Sequence, residues 1–315
     1  MKIVFLDAAT IGNDLSYESF DKIGKVVVYP TTSEAEFESR ANDADVIVIN
    51  KLKLNASNLP KAHNLKLICL AATGFDNVDL DYCRKAGIGV CNVIGYSTQC
   101  VAQLTLSMVL SLYTHLGEYT NFVRSGTYTQ TGLANCLTPV YHEIAGKTWG
   151  IVGYGNIGKQ VARVAEAMGC RILVYKRTPE EGVECVDFDT ICQKSDILSL
   201  HLPLSAETRN LLDQKHIAML KKDAVLINVA RGAVVDEGAL SDAILNGSIG
   251  GLGVDVYSKE PFDVDHPFNE IKHLPNVLLT PHMAWGGYET RVRLLEEIKE
   301  NIISFYAGKR RCRVD

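Results

Sequence analysis

The sequence predicts an α/β protein of two doubly wound parallel-sheet domains with a cleft between them. Three observations lead there. Short Val- and Ile-rich runs alternate with amphipathic segments along most of the chain, the alternation breaks once over residues 117–146 and restarts, and 315 residues exceed what one compact core usually absorbs. The first set of runs is KIVFLDA, KVVVYP, ADVIVIN, LKLICLA and GIGVCNV; the second is TWGIVGYG, RILVYKR, DILSLHLP, AVLINVA, GGLGVDVY and NVLLTPH. Each has strand length and an almost unbroken apolar character, as expected of strands covered on both faces.

Between the two sets a helix is expected to begin near Ser97 or Thr98, since Val101, Leu104, Met108, Val109 and Leu112 recur at helical spacing. Carrying no charge, it is expected to be buried between domains or subunits. The uncharged stretch from Lys85 to Glu118 also contains Asn92, Gln99 and Gln103, and its apolar part is too short and too polar to span a bilayer. From Tyr288 to Gly308, Val292, Leu295, Ile298, Ile302 and Phe305 form a helical stripe that is expected to pack back on the first domain. The domains so drawn are residues 1–98 with 287–315, and 99–286.

Composition narrows the function classes. Hydrophobic residues at 47% and charged residues at 22% are globular values, and a net charge of -5 provides no basic field for nucleic acid. The nine cysteines contain no C-x-x-C pair and have mostly apolar neighbours, so they read as reduced core thiols, with no metal site. The N-terminal MKIVFLDAAT enters a strand at once without the basic head of a signal peptide, and a cytoplasmic location is expected, with no membrane partner.

The strongest local motif is WGIVGYGNIGKQ, which places Gly153, Gly155 and Gly158, with Asn156 and Ile157 among them, between an apolar strand and a helical segment. In that context the first glycine permits a tight turn, the second lets backbone approach a pyrophosphate, and the third lets helix and strand pack closely. The second domain is therefore expected to be a Rossmann dinucleotide-binding unit, and the first a flavodoxin-like unit for substrate. Where the fingerprint expects an acid at the end of the next strand, the chain has Lys176 and Arg177. Cations cannot accept hydrogen bonds from a ribose 2′-hydroxyl but can pair with a 2′-phosphate, which favours NADP(H). The other reading is a pair of solvated charges, with NAD(H) bound through other groups.

Ligands of open α/β sheets lie beyond the carboxyl ends of the strands, so polar residues just after buried runs are candidates. Arg231 follows AVLINVA, Glu260 comes shortly after GGLGVDVY, and His282 follows NVLLTP. A guanidinium fork suits a carboxylate, and an imidazole can give or take a proton near neutrality. A carboxylate beside it would hold that imidazole in the donor form. Together the three suit hydride transfer between a nicotinamide and a small 2-oxo or 2-hydroxy acid.

At these residues the chain resembles the D-isomer-specific 2-hydroxyacid dehydrogenase family, through GIVGYGNIG, SLHLPLSAETRNLL, LINVARGAVVDEGAL, GLGVDVYSKEPF and LLTPHMAW. The resemblance implies catalytic roles for Arg231, Glu260 and His282. It also implies cofactor contacts from Asp255, His201, Pro203, Thr208, Val229 and Thr98, and substrate-carboxylate binding by the loop CLAATGFDNVDL at Thr73 and Gly74. Lys51 either faces the same cleft or is a solvated lysine. The segment PHMAWGG, the ATGFDNVDL loop and Gln103 are similar to the glycerate dehydrogenase or hydroxypyruvate/glyoxylate reductase branch. Trp285 there either lines a pocket for a small acid or packs at a seam. Family members are commonly homodimers. A D-lactate-type dehydrogenase stays open, because loops of the first domain set substrate size. A non-enzymatic nicotinamide-binding regulator similar to the C-terminal-binding corepressors is the alternative of another class.

Overall fold

The structure, a computed structural model, describes all residues from 1 to 315. The chain divides into two compact units, Met1–Ser97 with Trp285–Asp315, and Thr98–Ala284.

The first unit is built on a parallel sheet of β1 (Lys2–Phe5), β2 (Lys25–Val28), β3 (Val46–Ile49), β4 (Leu67–Leu70) and β5 (Gly89–Cys91), in the order β2-β1-β3-β4-β5. That is the flavodoxin-like order. Side chains of a strand alternate between faces, and here both faces are apolar. Ile3, Phe5, Val46, Val48, Leu67 and Cys69 enter one core, and Val4, Leu6, Ile47, Ile49, Ile68 and Leu70 the other. The C-terminal helix Tyr288–Tyr306 covers the first of these cores through Leu294, Leu295, Ile298 and Ile302. The expected stripe is thus shifted by part of a turn: Leu294 is in the core, Val292 is exposed, and Phe305 packs only at the margin.

The second unit carries β6 (Thr148–Val152), β7 (Arg171–Tyr175), β8 (Ile197–Leu200), β9 (Val225–Asn228), β10 (Gly251–Val254) and β11 (Val277–Leu279), all parallel, in the order β11-β10-β9-β8-β6-β7. A lone parallel bridge from Cys185 to Val174 lies beyond β7. Counting it as a vestigial strand gives 3-2-1-4-5-6-7, the Rossmann order 3-2-1-4-5-6 with β11 added at the far edge.

One face of this sheet is covered by side chains such as Phe188, Ile191, Leu240, Ile244 and Phe268. The helices Thr98–Tyr113 and Asn156–Ala167 pack on each other, the first also against β9, β10 and β11 and the second against β6 and β7. The buried residues Val101, Met108, Val109 and Leu112 of the first helix lie on a helix packed against its own unit's sheet, a partner the sequence reading did not name. No single helix is long and apolar enough to cross a membrane; Thr98–Tyr113 and Leu116–Arg124 reach that composition only as a pair bent by 64°.

Candidate active site

The glycine turn joins β6 to the helix Asn156–Ala167. Gly153 has φ +96°, a left-handed conformation, and a Cβ there would fall 2.8 Å from the carbonyl carbon of His201. A Cβ on Gly158 would fall 2.2 Å from the carbonyl oxygen of Gly153, so helix and strand meet only because that side chain is missing. Gly155 differs: nothing lies within 4 Å of where its Cβ would be. Its carbonyl accepts the first helical bond, from the Lys159 amide at 2.9 Å. The amides of Asn156, Ile157 and Gly158 begin the helix without intrahelical acceptors and face this open ground, an arrangement suited to a phosphate. Thr98 lines an adjoining depression of about 350 Å³ with Asn156, Lys159, Gln160 and Arg163.

Beside the turn, a buried relay ends in an unsatisfied atom. The Trp149 indole donates from Nε1 to the Ser199 hydroxyl at 2.9 Å, and Ser199 Oγ lies 3.0 Å from His201 Nε2. With the indole donating to its oxygen, the hydroxyl finds an acceptor for its own proton in Nε2, which puts the imidazole proton on Nδ1. Burial pushes this imidazole down to about 3, so it is neutral. Nδ1 is buried and has no partner in the protein. An orphaned donor next to a glycine turn fits a dinucleotide that supplies the acceptor. Pro203 and Thr208 belong to the following loop, where the Thr208 hydroxyl donates to the Pro203 carbonyl at 2.7 Å and accepts from the Ser205 amide at 2.7 Å. Thr208 therefore closes that loop on itself.

The end of β7 is more complex than the sequence suggested. The Lys176 ammonium lies 2.5 Å from Glu180 Oε2, and Lys159 lies 2.7 Å from Glu180 Oε1. Tyr154, between the first two glycines of the turn, has its ring 5.9 Å from Lys176 Nζ and 5.6 Å from Lys159 Nζ. Lys176 is thus neither a solvated charge nor an unpaired cation.

The carboxyl ends of β9, β10 and β11 lie side by side, with Asn228 opposite Val254 and Val254 opposite Leu279. Neighbouring parallel strands are about 4.8 Å apart, so residues just beyond these positions emerge along one edge of the sheet. Arg231 is half-buried and follows Val229 and Ala230, which are buried. Buried Asn228 closes the turn before it, donating to the Arg231 carbonyl at 3.0 Å and accepting from the Ala230 amide at 3.1 Å. Gly232 then passes so close to the next loop that a Cβ would lie 1.9 Å from the carbonyl carbon of Tyr257. Three residues later in that loop, Glu260 accepts from the Tyr257 amide at 3.0 Å through Oε1 and contacts His282 Nδ1 at 2.5 Å through Oε2.

His282 has φ +53°, which a residue with a Cβ seldom adopts. Buried Asp255 holds that turn. It accepts the Thr280 hydroxyl at 2.6 Å and the Met283 amide at 2.8 Å on Oδ1, and the Ala284 amide at 2.8 Å on Oδ2. Burial raises its carboxyl above the usual range against the pull of these bonds. The Tyr257 hydroxyl adds a donation to the Thr280 carbonyl at 2.9 Å, and burial pushes that phenol up to about 12. A strained backbone held by so many bonds is a common feature of functional turns. Asn228, Ser199 and Glu180 were missed by sequence reasoning. The first two carried a signal, each being a polar residue inside an otherwise apolar run.

In the first unit, the Thr73 hydroxyl donates to the Val93 carbonyl at 2.8 Å and the Thr73 carbonyl accepts from Asn92 at 2.7 Å, fixing the turn that Gly74 continues. Lys51 has an exposed side chain, while its amide donates at 2.7 Å to the buried carboxylate of Asp7. Trp285 packs at the margin of this unit's core, its ring 6.5 Å from that of Tyr96 and edge-on to it. No group of three or more His, Cys, Asp or Glu is placed to hold a metal ion.

The profile of the D-isomer specific 2-hydroxyacid dehydrogenase NAD binding domain matches residues 106–284. A glycerate dehydrogenase of Methylorubrum extorquens is 36% identical over 309 residues, covering 98% of this chain and 97% of that protein. A glyoxylate reductase of Thermococcus litoralis is 37% identical over 277 residues, covering 86% of this chain and 82% of that one. Among solved structures, an acyclic imino acid reductase in complex with NADPH and D-arginine superposes with a TM-score of 0.88 at 30% identity over the whole of both chains.

Proposed function

The chain belongs to the D-isomer specific 2-hydroxyacid dehydrogenase family, and from that premise we propose that it reduces hydroxypyruvate or glyoxylate to the corresponding 2-hydroxy acid, with D stereochemistry where the product is chiral. The observation that carries the reading is the 2.5 Å contact between Glu260 and His282 at the carboxyl edge of the sheet that bears the glycine turn.

A nicotinamide held at that turn supplies the hydride, and the remaining work falls to side chains. Arg231 grips the substrate carboxylate and polarises the carbonyl. His282, with Nδ1 engaged by Glu260, delivers a proton to the carbonyl oxygen from Nε2. Glu260 stabilises the imidazolium and fixes the ring, and Asp255 holds the backbone turn that aims it. The amides of Thr73 and Gly74 are proposed as further carboxylate donors. The small-acid substrate rests on the relatives, since hydroxypyruvate is the 2-oxo counterpart of glycerate.

The test is loss of dihydronicotinamide absorbance with hydroxypyruvate, glyoxylate and pyruvate, each with NADPH and NADH. Hydroxypyruvate or glyoxylate is expected to give the highest kcat/KM. A preference for pyruvate would overturn the substrate reading in favour of a D-lactate-type enzyme, and no turnover across the panel would overturn the reaction itself. For the cofactor, Lys159, Lys176 and Arg177 around the end of β7 supply cations that a 2′-phosphate could pair with, which supports NADP(H) as a cofactor beside NAD(H).

The proposal extends to a cytoplasmic homodimer. The segment from Leu116 to Tyr141 exposes Leu116, Val123, Leu133, Leu137, Val140 and Tyr141, more apolar surface than a lone chain usually leaves to water. Sedimentation is expected to give twice the chain mass, and a monomer at micromolar concentration would refute this.

A further inference from the structure

A dinucleotide-binding turn of this kind expects one anion acceptor or donor set near the ribose, and this chain supplies both signs at once. Lys176 is the first residue past β7, and the carbonyl of Tyr175 before it accepts the Gly153 amide at 2.9 Å, which ties the strand end to the glycine turn. Four residues on, Glu180 reaches back and spans two ammonium groups, 2.5 Å from Lys176 and 2.7 Å from Lys159. Lys159 comes from the first turn of the helix that opens at Gly155, so the three charges join the strand end to the helix. Tyr154 stands beside both lysines.

Two lysines bridged by a carboxylate form an anion seat that is already filled. We propose that Glu180 sets the choice between the two nicotinamide dinucleotides, because its carboxylate holds, between Lys159 and Lys176, the place a ribose 2′-phosphate would take. The inference rests on the reading that the glycine turn binds the cofactor, and it adds the residue that tunes its preference. Strand-end acids in such folds accept the ribose 2′-hydroxyl; Glu180 does so here from a position four residues later in the chain. For a 2′-phosphate the same carboxylate is a like charge that has to swing away before the lysines can pair with the ligand. The two lysines hold its carboxyl below the usual carboxylate range, so it is ionised at neutral pH. NADPH is thus accepted by the cations and opposed by the acid, whereas NADH keeps the acid as a partner.

The seat can be tested without turnover by titrating the full chain calorimetrically with 2′,5′-ADP and 5′-AMP, which carry the ribose with and without the phosphate. Glu180→Gln is expected to tighten 2′,5′-ADP by about tenfold relative to 5′-AMP. Glu180→Asp, which keeps the charge, is expected to stay near the wild-type ratio, and Lys176→Met to weaken 2′,5′-ADP alone. A ratio that stays within about twofold of wild type in Glu180→Gln, with both probes still bound, overturns the role of Glu180 and leaves the cofactor site standing. Failure of the wild-type chain to bind either probe, or NADPH or NADH, overturns the cofactor site and the proposal with it.

Discussion

Replacing His282 by Asn is expected to lower kcat for reduction of the preferred 2-oxo acid by about 10²–10⁴ while the Kd for the dihydronicotinamide cofactor changes little. The size follows from what the imidazole does. As hydride reaches the carbonyl carbon, negative charge builds on the oxygen, and a positioned donor lowers the barrier only at that moment. Asn is similar in bulk and can occupy the left-handed backbone conformation that His282 adopts at φ +53°, so the turn is expected to survive the change. Glu260 keeps its bond from the Tyr257 amide in the variant. Cofactor binding is largely spared because the glycine turn lies after β6, with β8, β9 and β10 between it and the end of β11. Stopped-flow single turnovers separate the chemical step from product release, and the loss is expected in the chemical step. Near-normal turnover would remove His282 from the mechanism and leave the Glu260–His282 pair as a structural contact.

Why those side chains meet was largely legible beforehand, since every strand in the structure coincides with an apolar run recognised in the sequence. Parallel strands covered on both faces have little room for polar residues, so their limits stand out, and the residues after AVLINVA, GGLGVDVY and NVLLTP mark the sheet edge. Crossover handedness and the doubly wound pattern narrow the sheet order without fixing it. The partner of the helix Thr98–Tyr113 was not legible. An uncharged amphipathic stripe states that a face is buried and is silent on what buries it, and its own sheet turned out to do so.

Loop contacts were least legible of all. Glu180 lies in TPEEGVE, where nothing in the spacing shows which of the acids turns back toward Lys176. Asp255 was legible as a residue but not in its bonds, because its partners Thr280, Met283 and Ala284 come from another strand end. The tautomer of His201 needed the Ser199 and Trp149 geometry, which joins three residues through the pairing of β6 with β8.

The largest single loss is expected at Arg231. Changing it to Ala should lower kcat/KM by about 10³ or more, because two charge-assisted hydrogen bonds to a carboxylate are lost together in a shielded site. Lysine should rescue little of this, since an ammonium is a point charge and cannot reproduce the planar fork. The backbone around the residue is held independently of the guanidinium: Asn228 bonds the Arg231 carbonyl and the Ala230 amide, and Gly232 is locked against the Tyr257 backbone. The variant should therefore fold, and its melting temperature is expected to stay within a few degrees of wild type. What separates a substrate-gripping role from a structural one is chemical rescue. Guanidinium ion added to Arg231→Ala should restore part of the rate in proportion to its concentration, while having no such effect on His282→Asn. A loss smaller than about tenfold in kcat/KM, or equal activity toward 2-oxo acids and their amides, would show that the fork binds no carboxylate.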